Sequence, residues 1–265
     1  QQLLDRLRRA DTEDSQSAGT SREVAVEIKS GIPAHQGLGA GSQLALALAC
    51  GLDRLSGRRS SVQELSHRAG RGGRSAIGTW GFEHGGLLCD GGRADSGAAD
   101  RLAPLVARVA VPEQWRFVLL LPTDSCGLSG PEEAAAFRQL KGVPDADTDR
   151  LCRIILMQLV PAFREAEFEE AATAIGEYGR VAGRYFSEIQ CGLFTHPKLA
   201  ALAASLAEYG GQGLAQTSWG PGCAVLCRNQ TMAEKLSGLA VSQGAGWLTT
   251  QIVQGLNRGA TIECH

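Results

Sequence analysis

Residues suited to binding a phosphate are concentrated at positions 31–42, which read Gly-Ile-Pro-Ala-His-Gln-Gly-Leu-Gly-Ala-Gly-Ser. The apolar run at 24–28 predicts a short β-strand before this stretch, and the Ala/Leu-rich run at 43–55 predicts a helix after it. Glycine lets the backbone approach a ligand closely, and the first N–H groups of a helix favour negative charge. With Ser42 as the N-cap, the pattern predicts a phosphate or pyrophosphate site. A purely structural glycine turn is the alternative.

A second glycine-rich stretch at 68–78 contains Arg68, Arg71 and Arg74, followed by Ser75. Guanidinium groups reach phosphate or carboxylate oxygens with paired hydrogen bonds. Arginines between glycines are therefore typical of a loop that encloses an anion, and a solvated basic loop is the alternative.

Three further candidates for chemistry follow at 79–93, namely Glu83, His84 and Asp90. Asp90 ends a predicted strand beside two glycines, and Mg²⁺ in phosphate sites takes one or two carboxylates plus substrate oxygens. This predicts Asp90 as a metal ligand, although an Asp that binds its own turn fits the same pattern. A structural, hydrogen-bonded role for His84 is equally compatible with its position.

Composition excludes several classes of protein. The 265 residues fit one large domain or two modest ones, and the net charge of −2 gives no general attraction to nucleic acid or membranes. No run of about 18 apolar residues occurs, and no signal peptide is visible, so we expect a cytoplasmic protein. The eight cysteines form no Cys-x-x-Cys pair, which favours buried free thiols over disulfides or a zinc site.

The order of elements predicts an α+β protein with a domain boundary near residue 112. We place a phosphate-binding domain at 1–112, ending in a linker at 94–112, and a second domain at 113–265. Helices are predicted at 1–9, 61–69, 131–140, 148–163, 166–179, 197–209 and 232–242. Strands are predicted at 87–89, 115–121, 223–228, 247–253 and 260–264.

Five motifs taken together resemble one enzyme family. They lie at 32–47, 70–78, 81–92, 127–130 and 218–221, and the first, Pro33-x-x-x-Gly37-Leu38-Gly39-x-Gly41-Ser42, is similar to the phosphate loop of the galactokinase, homoserine, mevalonate and phosphomevalonate kinase (GHMP) superfamily. The ordered set resembles β-ribofuranosylaminobenzene 5′-phosphate synthases, a branch of that superfamily.

The resemblance implies both a fold and an activity. The fold would be a ribosomal-S5-like first domain followed by a ferredoxin-like second one. The family's members carry strands before the helix matching 1–9, and we expect the natural protein to carry them too. The activity joins 5-phosphoribosyl 1-diphosphate to 4-aminobenzoate or 4-hydroxybenzoate in methanopterin biosynthesis, releasing CO₂ and pyrophosphate with Mg²⁺ as cofactor. Small-molecule substrates are thus the expected partners, and a homodimer is left open.

The resemblance also assigns candidate residues. The diphosphate would lie on His35, Gly37, Leu38, Gly39, Gly41, Ser42, Arg71, Arg74 and Ser75, with Glu83, His84 and Asp90 as catalytic candidates. In the kinases of the superfamily the loop after the second helix reads Ser-Gly-x-Asp, whereas this chain has Ser75-Ala-Ile-Gly78. Glycine cannot accept a proton, which argues against phosphoryl transfer. An ATP-dependent kinase and a non-catalytic sugar-phosphate-binding protein are the alternatives.

Overall fold

The computed structural model describes residues 24–73, 75–92, 102–125, 135–136, 138–140, 142–190, 192–217 and 220–263. The chain divides into two compact units. The first consists of residues 39–108 with flanking stretches before residue 33 and after residue 257, and the second consists of residues 33–38 and 109–257. The chain passes from the first unit to the second after residue 108, four residues before the boundary that the sequence predicts after residue 112.

In the described part of the first unit, three helices pack beside a two-stranded sheet. The helices are α1 (Ala40–Leu55), α2 (Val62–Arg68) and α3 (Ile77–His84), and the strands are β1 (Leu87–Asp90) and β2 (Leu105–Val109). Buried apolar side chains from all three helices form its core, among them Leu46, Leu65 and Trp80.

The start of α2 was specified locally by its sequence. Ser61 is the N-cap, and its hydroxyl accepts a hydrogen bond from the Glu64 amide at 3.3 Å. The Glu64 carboxylate in turn accepts from the Ser61 amide at 2.7 Å. This capping box confirms the predicted helix start, and the helix is followed by Gly70 at a φ of +62°.

The described part of the second unit is a four-stranded antiparallel sheet with helices. Its strands are β3 (Arg116–Pro122), β4 (Leu214–Gln216), β5 (Cys223–Cys227) and β6 (Leu248–Val253). Between β3 and β4 lie α4 (Asp145–Ile154), a π-helical turn (Ile155–Leu159), α5 (Val160–Glu165), α6 (Phe168–Gln190) and α7 (Leu199–Glu208). Helix α8 (Gln230–Gln243) connects β5 to β6.

The strand order β4-β5-β3-β6 places β3 at the centre, paired with β5 on one side and β6 on the other. A βαββαβ chain with this antiparallel order is the ferredoxin-like arrangement. The buried side chains Val118, Leu120 and Val225 of the central strands pack with Leu206 of α7 and Leu236 of α8. The α+β class with a ferredoxin-like second part is confirmed.

Two predicted strands do not form, and one predicted linker contains a strand. Residues 24–28 are in no strand of the described chain, and 25–28 are exposed. Residues 260–263 also form no strand, although the amide of Ala260 donates to the Phe82 carbonyl at 2.8 Å. The predicted linker at 94–112 contains β2, which pairs with β1. Strand periodicity in a short run does not show whether a partner strand is available, so these are the elements most prone to error. The helix predicted at 1–9 lies outside the described residues.

Among the described cysteines, Cys50, Cys152, Cys223 and Cys227 are free thiols, as predicted. Cys50, Cys223 and Cys227 are buried, while Cys89 is half-buried and Cys152 is exposed. Burial raises the pKa of Cys223, and it raises that of Cys227 to about 12. None of the described helices has the length and apolarity needed to cross a membrane.

Candidate active site

The predicted anion site corresponds to the first turn of α1. This helix begins at Ala40 after Gly39, which has the left-handed φ of +74°. The amides of Ser42 and Gln43 both donate to the Gly39 carbonyl at 3.0 Å. Among the described residues no side chain caps this end, and its first turn has no acidic residue. The positive end of the helix is therefore available to an anion.

The prediction that Ser42 is the N-cap was wrong. The helix starts earlier because Gly39, which adopts a positive φ without steric cost, ends the loop at that point. Ser42 is consequently a residue of the first turn, with its side chain half-buried.

Arg71 brings a cation to the same turn. Its Nη2 atom lies 3.2 Å from the position that a Cβ on Gly41 would occupy, so the absence of a side chain at Gly41 permits this approach. A guanidinium group beside the positive end of a helix is unfavourable by itself. An anion between the two would be stabilised by both, which is why this pair indicates a phosphate site.

Gly78 closes the other side of the first turn of α1. A Cβ at Gly78 would lie 3.1 Å from the Ser42 Cβ and 3.4 Å from its Oγ. The Gln43 side chain also donates from Nε2 to the Gly78 carbonyl at 2.8 Å. The start of α3 is thus packed on the first turn of α1.

Asp90 is held by the loop that precedes α3 and by its own turn. Its carboxylate accepts hydrogen bonds from the Ala76 amide at 2.9 Å, the Ser75 hydroxyl at 3.3 Å and the Gly92 amide at 3.2 Å. These bonds fix the loop that precedes α3. A carboxylate has about four acceptor positions, so one remains for another ligand. Both Asp90 and Ser75 are therefore engaged in the structure of this loop.

Glu83 and His84 lie at the far end of α3. They are roughly 8 Å of helix beyond Gly78. Glu83 Oε2 and His84 Nε2 are 3.3 Å apart, and the His84 ring lies parallel to that of Trp80 at a centroid distance of 5.9 Å. The structure does not bring this pair to the first turn of α1.

The first half of the glycine-rich loop packs within the second unit. A Cβ on Gly37 would collide with the backbone carbonyl of Thr217, and the Thr217 hydroxyl donates to the Gln36 carbonyl at 2.7 Å. His35 is exposed with a φ of +58°, and Leu38 is half-buried. Sequence reasoning missed Thr217 as a residue that holds this loop, although it lies in a glycine-rich segment of its own.

The arginines of the second stretch have different environments. The Arg68 guanidinium bonds to the buried carboxylate of Asp53 at 2.5 Å, which the sequence did not predict. Arg68 therefore belongs to the core of the first unit rather than to the phosphate site. Burial alone would raise the pKa of Asp53, but hydrogen bonds from Ser60 and Arg68 outweigh it and lower the value to about 2. Arg74 lies outside the described residues.

The described residues contain no group of three or more His, Cys, Asp or Glu side chains able to hold a metal ion. Mg²⁺ usually binds through one or two carboxylates plus phosphate oxygens and water. The remaining acceptor position of Asp90 is the candidate contribution of the described residues to such an ion.

Comparison with known proteins shows what the chain is similar to. The sequence model described as "GHMP kinases N terminal domain" matches residues 3–85. Solved structures share the fold at low identity. A homoserine kinase from Cytophaga hutchinsonii has a TM-score of 0.56 at 15% identity, covering 86% of this chain and 68% of its own. A mevalonate pyrophosphate decarboxylase from Streptococcus pyogenes has a TM-score of 0.59 at 13% identity, covering 99% and 78%.

Curated relatives are more similar in sequence. A "Beta-ribofuranosylphenol 5'-phosphate synthase" from Methanothermobacter thermautotrophicus is 32% identical over 251 residues, which is 91% of this chain and 74% of the relative. A protein of the same name from Archaeoglobus fulgidus is 35% identical over 163 residues, and the match covers 58% of this chain and about half of the relative, 51%. The chain therefore belongs to the beta-ribofuranosylphenol 5'-phosphate synthase family, within the GHMP superfamily.

Proposed function

We propose that this protein transfers the phosphoribosyl group of 5-phosphoribosyl 1-diphosphate to 4-aminobenzoate or 4-hydroxybenzoate, releasing CO₂ and pyrophosphate. The observation that carries the proposal is the first turn of α1, where the Arg71 guanidinium lies beside Gly41 and no acidic side chain is present. The position suits a diphosphate that gains negative charge as it leaves.

The reaction is balanced without an external oxidant or reductant. The bond between the anomeric carbon and the diphosphate oxygen breaks, and its electron pair leaves with pyrophosphate. The ring carbon that bears the carboxylate forms the new bond to the anomeric carbon. The carboxylate then departs as CO₂, and its bonding electrons restore the aromatic ring.

The residues of the first unit would act mainly through electrostatics. The Ala40–Ser42 turn and Arg71 would stabilise the departing pyrophosphate, which is usually the largest contribution to catalysis of this type. Mg²⁺, when bound, would supply further charge neutralisation on the diphosphate. Asp90 as a metal ligand, Ser75 and Arg74 at the diphosphate, and Glu83 with His84 as catalytic residues remain predictions. A cytoplasmic location and a place in methanopterin biosynthesis belong to the same proposal.

Gly78 argues against the kinase alternative. It provides no carboxylate to orient a hydroxyl group, and a side chain there would lie within 3.1 Å of the Ser42 Cβ. The catalytic aspartate of the kinases thus has no replacement at this position, and a side chain there would require a small shift of Ser42.

The direct test uses 4-aminobenzoate labelled in its carboxyl group. We expect the chain with Mg²⁺ and 5-phosphoribosyl 1-diphosphate to release labelled CO₂ and pyrophosphate in equal amounts. Transfer of labelled phosphate from ATP to an alcohol would identify a kinase instead. Binding of the diphosphate sugar without pyrophosphate release would identify a binding protein.

A further inference from the structure

Strand β6 lies at one edge of the four-stranded sheet of the second unit, since β3 is its only neighbouring strand in the described chain. An edge strand leaves backbone N–H and C=O groups open to pairing with another chain, and proteins usually protect it by short length, a charge, a proline or a bulge. The opposite edge strand, β4, is only three residues long. β6 has six residues, none of them charged and none a proline, and its register with β3 is continuous. It therefore has none of these protections.

The pairing with β3 determines which backbone groups of β6 point outward. In an antiparallel pair, residues that exchange hydrogen bonds with the neighbouring strand alternate with residues whose N–H and C=O point away from it. The Thr123 amide donates to the Trp247 carbonyl at 2.8 Å, so position 247 is one of the bonded positions. Positions 249, 251 and 253 are then also bonded to β3, and Thr250 and Ile252 point away from it.

The outward backbone groups of Thr250 and Ile252 have no hydrogen-bond partner among the residues that the structure describes. Leu248 also points outward, but its amide is already used, since it donates to the Gly244 carbonyl at 2.9 Å. Thr250 and Ile252 are therefore the residues of β6 that offer both an open N–H and an open C=O. They are two residues apart, which is the spacing that the ladder of a further antiparallel strand requires.

The surroundings of this edge are uncharged. Residues 236–257, which comprise most of α8, all of β6 and the adjoining connections, contain no Asp, Glu, Lys or Arg, whereas 20% of the whole chain is charged. Val241 and Leu256 in this stretch are exposed. Across a twofold axis, each side chain near the axis meets its own copy, so a charge there would be repelled. An uncharged edge has no such repulsion, which favours a second copy of this chain as the partner over a charged one.

We propose that β6 pairs antiparallel with β6 of a second copy, which gives a homodimer with a twofold axis at Gln251. This register places Thr250 of each copy opposite Ile252 of the other, so that the open N–H and C=O groups of both residues are used. The two sheets become continuous, and the two Gln251 side chains lie opposite each other about 5 Å apart. The inference rests on the second unit alone and does not depend on the proposed function.

A charge placed at the axis tests this pairing. The Gln251 side chain is exposed and its backbone is bonded to β3, so Gln251→Lys and Gln251→Glu should keep the fold. We expect sedimentation velocity to show a dimer for the unmodified chain at micromolar concentration. In each variant alone the dissociation constant should rise by roughly tenfold or more, because like charges then face each other. An equimolar mixture of the two variants should restore the dimer, because opposite charges then meet.

The matched control is Gln139→Lys. It makes the same chemical change at an exposed position of the second unit outside residues 236–257. The dissociation constant of the dimer should be unchanged in this variant.

Hydrogen exchange provides a readout at the edge itself. The amides of Thr250 and Ile252 should be protected in the dimer, and Gln251→Lys should remove that protection. The amide of Thr249, which is bonded to β3, should stay protected in the variant and thereby show that the sheet is intact.

An unmodified chain that stays monomeric, or that forms an assembly other than a dimer, would overturn the proposal. A dimer that persists in both Gln251 variants, or that is lost in Gln139→Lys as well, would do the same. Loss of the dimer in both Gln251 variants without recovery in the mixture would show that the axis does not lie at Gln251. Protection of Thr250 and Ile252 that does not depend on the dimer would assign the edge to another partner.

Discussion

Arg71 is the residue whose replacement tests the diphosphate site most directly. If its guanidinium makes a charged hydrogen bond to the leaving group, Arg71→Ala should weaken binding of 5-phosphoribosyl 1-diphosphate by about 1.5–3 kcal/mol, or roughly 10- to 150-fold. The KM for the diphosphate sugar should rise, and the KM for the arene should change little.

The matched control is Arg54→Ala. Arg54 is exposed in the last turn of the same helix, so this variant changes the net charge equally at the opposite end of α1. Its kinetics should equal those of the unmodified protein. Equal losses in the two variants would show that general charge, rather than contact by Arg71, governs binding.

Asp53 determines an acid-sensitive part of the stability. Its pKa in the folded chain is about 2, below its ordinary value of 3.8. A lowered pKa stabilises the fold above pH 4, and this contribution of about 2 kcal/mol is lost as the pH falls from about 4 toward 2. Urea unfolding at several pH values should show this loss.

Asp53→Asn should remove that pH dependence and take from Arg68 the buried carboxylate to which it bonds at 2.5 Å. The expected cost at neutral pH is about 3–5 kcal/mol. Asp149→Asn, which removes an exposed carboxylate of α4, should cost well under 1 kcal/mol. An Asp53→Asn variant with unchanged stability at pH 7 and an unchanged acid limb would contradict this role.

Helix α3 meets α1 at Gly78. Gly78→Ala adds only a Cβ, 3.1 Å from that of Ser42, so it should lower the affinity for the diphosphate sugar modestly through a small shift. Gly78→Asp adds a negative charge beside the anion site as well. Comparing the KM values of the two variants for the diphosphate sugar isolates the effect of the charge. We expect the KM of Gly78→Asp to be at least roughly tenfold higher than that of Gly78→Ala. Measurable kinase activity in Gly78→Asp would show that space for the carboxylate exists after all.

The glycine-rich loop is held on the second unit by Thr217. Its hydroxyl lies 2.7 Å from the Gln36 carbonyl and 2.8 Å from that of Gly222. Thr217→Val keeps the shape and removes the hydroxyl, so it should destabilise the loop by about 1–2 kcal/mol and raise the KM for the diphosphate sugar. Thr217→Ser keeps the hydroxyl and should restore both values. If Thr217→Ser is impaired as much as Thr217→Val, the hydroxyl alone does not hold the loop.

Across the whole molecule, sequence patterns correctly predicted the helices and strands whose signals lie within a few residues of the chain. The capping box at Ser61 and the apolar strand at 116–122 are examples, because their signals lie within a few residues. The glycine motifs likewise drew attention to Gly39, Gly41 and Arg71, which the structure places at the start of α1, while their role at a diphosphate stays a prediction. Pairings between distant residues were not predictable. Asp53 with Arg68, Thr217 with Gln36 and the pairing of β2 with β1 depend on tertiary contacts that single-sequence patterns do not encode.

Binding of the diphosphate sugar should also stabilise the folded chain against heat. Anything that binds only the folded chain stabilises it, by about 2.7 kcal/mol at a concentration 100 times the dissociation constant. For a chain of this size we expect 5-phosphoribosyl 1-diphosphate with Mg²⁺ to raise the Tm by roughly 5–10 °C. Because the diphosphate contacts are assigned to the first turn of α1 and Arg71, Arg71→Ala at the same ligand concentration should lose most of this shift, and Arg54→Ala should keep it. Inorganic pyrophosphate should give a smaller shift with the same dependence on Arg71. A full shift in Arg71→Ala would place the diphosphate on other residues, since the stabilisation of the fold measures binding whether or not the reaction proceeds.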